Sequence, residues 1–131
     1  MGAWGGDVYD NDDAADWAAE LEDQGAAAIA AALGAALGDG YLDRDIGARA
    51  IAAADVLGRL RTGDVVITNT YGPAEWILTS TASPSADLLR LAERAVDRAV
   101  GADSELAELW RETDDFAAWR SSVNTVVGRL L

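Results

Sequence analysis

The sequence predicts an all-α fold: a compact single-domain bundle of about six to seven short helices with an ordered Gly/Trp N-terminal arm. Three observations carry this expectation. Apolar residues recur at i, i+3 and i+4 spacing in most of the chain. Each such run is bounded by a capping residue, a glycine or a proline. The longest β-branched run, Val65 to Thr68, has no strand-like partner beside it, and a lone strand has nowhere to place its hydrogen bonds.

The arm comes first. Gly2, Gly5 and Gly6 loosen it, and Trp4 and Tyr9 are its expected anchors. The first helix starts at Asp10 or Asn11 and runs to about Asp23, because Asn and Asp cap well and acidic residues suit the positive end of a helix. Ala14, Trp17, Ala18 and Leu21 form its apolar side, and Asp12, Asp16, Glu20 and Asp23 its acidic side. An alanine-rich second helix follows from about Ala26 to Leu37, with Ile29, Leu33 and Leu37 in its apolar row. Gly38 and Gly40 stop it.

Asp43 is the expected cap of a third helix reaching about Arg61, with Ile46, Ala50, Ala53, Leu57 and Leu60 buried. Asp45 with Arg49, and Asp55 with Arg59, read as i,i+4 pairs on its wet side. Asp64 to Gly72 reads as an extended connector. Pro73 then opens a short helix through Trp76, Ile77 and Leu78. Ser83-Pro84 opens a fifth helix that ends at Gly101, carrying a row of Arg90, Arg94 and Arg98. Asp103 or Ser104 caps a sixth helix with Leu106, Leu109 and Trp110. Asp114-Asp115 starts the last, where Phe116, Trp119, Val123, Val126 and Leu130 follow a 3-4-3-4 packing seam.

At 131 residues, with no linker or repeat, residues 1–131 read as a single helical domain. Cysteine and histidine are both absent. Disulfides, thiolate sites, imidazole-based zinc sites and Ser-His-Asp triads are therefore excluded within the chain. The formal net charge is -13. That argues against nucleic acid and anionic membranes, and suits a basic protein partner or a cation. Every basic residue is arginine, which points to a GC-rich bacterial genome. No stretch approaches the ~20 apolar residues of a membrane span, and no signal-peptide pattern opens the chain. The expected location is cytoplasmic.

Asp7, Asp10, Asp12 and Asp13 are the candidate metal residues, since Ca²⁺ and Mg²⁺ need converging carboxylate oxygens. An EF-hand begun at Asp10 fails, with Ala15 where glycine belongs and Leu21 where glutamate belongs. Helix capping is the plainer account of these residues. No cofactor is expected, Ca or Mg being the alternative. The acidic stripe is harder to explain by capping. Asp12 with Asp16, and Asp16 with Glu20, are like-charge i,i+4 pairs. The stripe also continues to Glu20 and Asp23, beyond the reach of the helix dipole. Its internal counterpart would be the Arg90, Arg94 and Arg98 row, but Glu93 and Asp97 compete for the same guanidiniums, and a solvated face with local pairs is the plainer reading of that row. Trp4, Asp12, Asp16, Glu20 and Asp23 are the candidate partner-binding residues.

Trp17, Trp110 and Trp119 sit at core-facing positions. A groove between the Trp4 arm and Trp76 is the expected pocket. No carboxylate pair has the spacing or setting of an acid/base couple, so no catalytic residue is named. Ile51 reads as exposed, and with Leu130 and Leu131 it either serves a dimer contact or frays.

Met1-Gly2-Ala3-Trp4-Gly5, followed by Tyr9-Asp10-Asn11-Asp12-Asp13-Ala14-Ala15-Asp16-Trp17, resembles the opening of the bacterial domain-of-unknown-function 4259 family. Ser104-Glu105-Leu106, Leu109-Trp110, Asp115 and Trp119 resemble its closing pattern. Asp7-Val8-Tyr9 departs from the glycine, proline and phenylalanine usual there. The resemblance implies a small helical bacterial domain and implies no activity. The function expected is a non-enzymatic protein-interaction domain, immunity-like or regulatory. A divalent-cation-binding domain is the alternative, with a carboxylate-based hydrolase behind it.

Overall fold

The computed structural model describes residues 5–131. Among the described residues it contains seven helices: α1 Asp12–Gln24, α2 Ala27–Ala35, α3 Arg44–Thr62, α4 Ala74–Thr79, α5 Ala86–Val100, α6 Glu105–Arg111 and α7 Phe116–Leu130. No strand forms among them. A short parallel bridge joins Leu42 to Ser104. There Leu42 N–H donates to Asp103 O at 2.7 Å, and Glu105 N–H donates to Leu42 O at 2.9 Å.

Local chemistry sets the helix ends. Asn11 accepts from Ala14 N–H at 2.8 Å and caps α1, while Ser104 caps α6 from a fully buried position. Gly63 ends α3 in the left-handed region at φ 79°, its N–H returning to Arg59 O. An L side chain would be strained there. The expected opening of α5 at Ser83-Pro84 is corrected by two residues. Ser85 is the cap, its side chain accepting from the otherwise unsatisfied Leu88 N–H at 3.1 Å.

The third helix, α3, is the axis of the domain. It packs against α1, α2, α4, α5, α6 and α7. From Ala50 to Gly58 every residue is buried, the pattern of a helix enclosed on all sides. Two expectations fail for this reason. Ile51 is core, at 2% exposure, and Asp55 is also inside, at 1%. The alanines at 50, 52, 53 and 54 are fully buried, and their small side chains let neighbouring helices come close. Leu21, Leu33 and Leu57 fill the larger gaps, each contributing roughly 1.5–3 kcal/mol by burial.

The last helix behaves as its spacing implies. Trp119, Val123, Val126 and Leu130 are buried, and Trp119 stacks on Trp110 with ring centroids 5.8 Å apart. Leu131 is exposed. Asp64 to Gly72 is a connector without strand or helix, as its sequence implies.

Candidate functional site

On α1 the apolar residues turn inward and the acidic ones outward. Asp12, Asp16 and Asp23 are exposed, and no ion pair involves them among the described residues. Two carboxylates of this helix do meet arginines. Asp13 lies 3.3 Å from Arg44 Nε, and Glu20 lies 3.7 Å from Arg49 Nη1. Both arginines belong to α3. The Arg90, Arg94 and Arg98 row is therefore not the counterpart of the stripe. Arg90 pairs with Asp87 instead. Arg98 donates to Ala36 O at 3.2 Å and Gly40 O at 3.0 Å, closing the carbonyl end of α2. Arg49 likewise turns to Glu20, and its expected partner Asp45 is left aside.

The structure brings Asp7 and Asp10 together but gives them other work. Asn69, from the connector, donates to Asp10 Oδ1 at 2.9 Å and to Asp7 Oδ1 at 3.3 Å. Asp7 Oδ1 also accepts from Tyr9 N–H at 3.0 Å. Asp12 and Asp13 stand apart from them in the first turn of α1. Among the described residues no group of three or more acidic side chains is placed to hold a metal. Trp4 lies outside the described residues. Trp76 is half-buried and lines a shallow depression with Glu22, Glu75 and Thr79.

A polar centre that the sequence reading missed lies between α3 and α7. Asp55 Oδ2 accepts from Tyr9 Oη at 2.8 Å and from Arg59 Nε at 2.9 Å. Asp55 Oδ1 accepts from Arg129 Nη1 at 3.3 Å. Arg129 also binds Asp64 at 2.7 Å, and Arg59 Nη1 reaches Val66 O at 2.9 Å. One carboxylate thus ties together the arm, α3, α7 and the start of the connector. Burial, reinforced by Asp55, raises the Tyr9 phenol well above its ordinary pKa. Burial works against the Arg59 charge, but Asp55 beside it outweighs this and holds the guanidinium above its ordinary value.

This centre opens into a cavity of about 230 Å³, walled by Asp7, Tyr9, Asp55, Arg59, Thr125 and Arg129. Two carboxyls share the cavity, the arrangement a carboxylate hydrolase needs. Both Asp55 oxygens are engaged by donors already, and Asp7 accepts from Asn69 and Tyr9. These contacts join the arm, α3, α7 and the connector. A signal was present in the sequence: Ala50 to Gly58 is small or apolar except for Asp55. A single carboxylate in such a run must find partners inside.

A second hollow, about 170 Å³, lies between α1, α2 and α3. Trp17, Ala28, Ala31, Ala35 and Ile46 line it, with Glu20 and Arg49 on its rim. Trp17 is held there by its indole N–H, which donates to Ala28 O at 3.3 Å.

Helices packed round a buried axis, with an acidic outer face, define a small acidic all-α domain. The chain belongs to the family described as domain of unknown function (DUF4259), whose model matches residues 2–122. That span reaches from the arm into α7. No curated protein and no solved structure matches the chain. No helix among the described residues is long and apolar enough to cross a membrane.

Proposed function

We propose that this is a non-enzymatic interaction domain, immunity-like or regulatory, whose α1 face recognises a basic protein partner. The observation that carries this reading is the state of the α1 carboxylates. Asp12, Asp16 and Asp23 are exposed and without ion pairs among the described residues. Most of the arginines are spent elsewhere. Arg59 and Arg129 serve the Asp55 centre. Arg61 donates to Leu131 O at 2.8 Å and Arg98 to the end of α2. Uncompensated charge of one sign on one face speeds encounter with the opposite sign and repels the wrong partners.

A bacterial, cytoplasmic setting goes with this reading, the bacterial part supported by basic residues that are all arginine. The test is capture from a lysate of a GC-rich bacterium on immobilised protein, at low and at high salt. A basic protein retained at low salt and released at high salt is expected, and Asp16→Asn with Asp23→Asn weakens its retention. Finding only salt-insensitive or acidic proteins on the column overturns the proposal.

A further inference from the structure

The charge pattern of α1 and the composition of α2 meet at one hollow. Helix α2 carries no charged or polar side chain: its sequence is Ala27-Ala-Ile-Ala-Ala-Ala-Leu-Gly-Ala35. Its outer residues Ala27, Ala30, Ala31, Gly34 and Ala35 are exposed. In a chain one quarter charged, a bare apolar helix face is an exception that calls for a cover. The hollow beside it has Trp17 and Ile46 at its base. At about 170 Å³ it is smaller than the ~300–1,000 Å³ of small-molecule sites. It is of the size that receives an anchoring side chain.

The α1 wall of this hollow grades from apolar to acidic. At 100° per residue, Asp16, Asp23 and Asp12 lie roughly 40°, 60° and 80° beyond Glu20, on the side away from Trp17. Glu20 sits on the rim with Arg49. An apolar strip with a row of free carboxylates along one edge is the complement of an amphipathic helix with apolar anchors and a basic edge.

We infer that the α1–α2 groove is the seat of an amphipathic, basic-edged helix supplied by the partner. Its apolar side chains enter the hollow over Trp17 and Ala31, and its basic edge lies along Asp16, Asp23 and Asp12. This rests on the proposed acidic-face function and specifies how that face is read. A second copy of the chain fits less well, because its net charge of -13 opposes self-association.

The probe is a synthetic helical peptide of about 20 residues, with leucines at heptad spacing and arginines on the adjoining face. Binding to the intact protein is followed by anisotropy and by the indole N–H resonance of Trp17. Two double variants separate the contributions. Asp16→Asn/Asp23→Asn removes charge from the edge. Ala31→Gln/Ala35→Gln occludes the exposed groove with helix-compatible, uncharged side chains. Melting curves establish that each is folded. The expected result is salt-sensitive binding that shifts the Trp17 resonance and weakens about tenfold in either variant, ~1.4 kcal/mol.

Loss in the Asp variant alone overturns the groove and leaves the acidic-face reading standing. Loss in the Gln variant alone overturns both, whereas no binding at all overturns the groove and leaves the acidic-face reading to the salt-dependent capture. A dimer of the protein without peptide, broken by the Gln pair, puts a second copy in the groove and overturns the basic helix.

Discussion

Asp55 and Arg129 are separated by 74 residues and meet inside the domain, Arg129 Nη1 donating to Asp55 Oδ1 at 3.3 Å. With Tyr9 and Arg59 on the other oxygen, the carboxylate is the common acceptor for three parts of the chain. Its removal strands two guanidiniums and a phenol. Asp55→Ala is expected to lower unfolding stability by about 3–5 kcal/mol, read from the urea midpoint. Asp64→Ala, at the half-exposed end of the same network, should cost less than ~1 kcal/mol. Equal losses in the two variants would contradict the central place of Asp55.

Alkaline pH acts on the same centre. Burial and Asp55 raise the Tyr9 phenol well above its ordinary 10.0. The unfolded chain ionises near pH 10 while the folded one resists. The Tyr9 contribution is therefore complete below about pH 10 and is lost as pH climbs toward the folded value. Tyr41 adds in the same direction: its hydrogen bond to Glu108 pushes it up to about 12, though at an exposed position. The melting temperature should fall above about pH 10, and Tyr9→Phe should show a shallower decline. An unchanged slope in that variant would move the effect elsewhere.

Two glycines inside helices should respond oppositely to alanine. A Cβ on Gly58 would sit 2.7 Å from Arg129 Cβ, where α3 and α7 touch. Gly58→Ala must push α7 outward and is expected to destabilise by about 1–3 kcal/mol, despite better helix propensity. A Cβ on Gly34 meets nothing within 4 Å. Gly34→Ala should stabilise by up to ~1 kcal/mol. Thermal melts of the pair decide, and a stabilised Gly58→Ala would refute the close contact.

The acidic face should cost the free protein some stability. Asp16 lies one turn from both Asp12 and Glu20 and has no ion pair among the described residues. Asp16→Asn is expected to raise stability by a few tenths of a kcal/mol at low salt, with the gain fading as salt screens it. Denaturant titrations at two ionic strengths measure it. A loss of stability at low salt would mean that Asp16 has a favourable partner.

Local chemistry made most of the fold legible. Asn11 and Ser104 act as caps because their side chains reach N–H groups three residues on. Trp17, Trp110 and Trp119 are core because helical spacing puts them there. The Asp55 centre was not legible in the same way. Asp55 and Arg59 have the spacing of an ordinary surface pair, and the same i,i+4 geometry occurs wet or buried. What decides is Tyr9 and Arg129, which arrive from 46 and 74 residues away. The role of Arg98 was hidden for the converse reason. The spacing of its row suggested a surface for α1, while the nearest free carbonyls were those ending α2. The acidic stripe was found from sequence, but not its setting beside the α2 groove, which only the packing of α1, α2 and α3 creates.

The enclosure of α3 has a consequence for how the domain comes apart. From Ala50 to Gly58 the helix is buried around its full circumference and has no side there that can face water. α1 and α2, the pair before it, and α5 and α7, after it, each cover part of it. Neither the N-terminal nor the C-terminal half can therefore stand as a folded fragment. Loss of either flank exposes the axis that the other needs. The domain should unfold in one cooperative step, and cuts in the connector between α3 and α4 should yield pieces that persist only while they remain together.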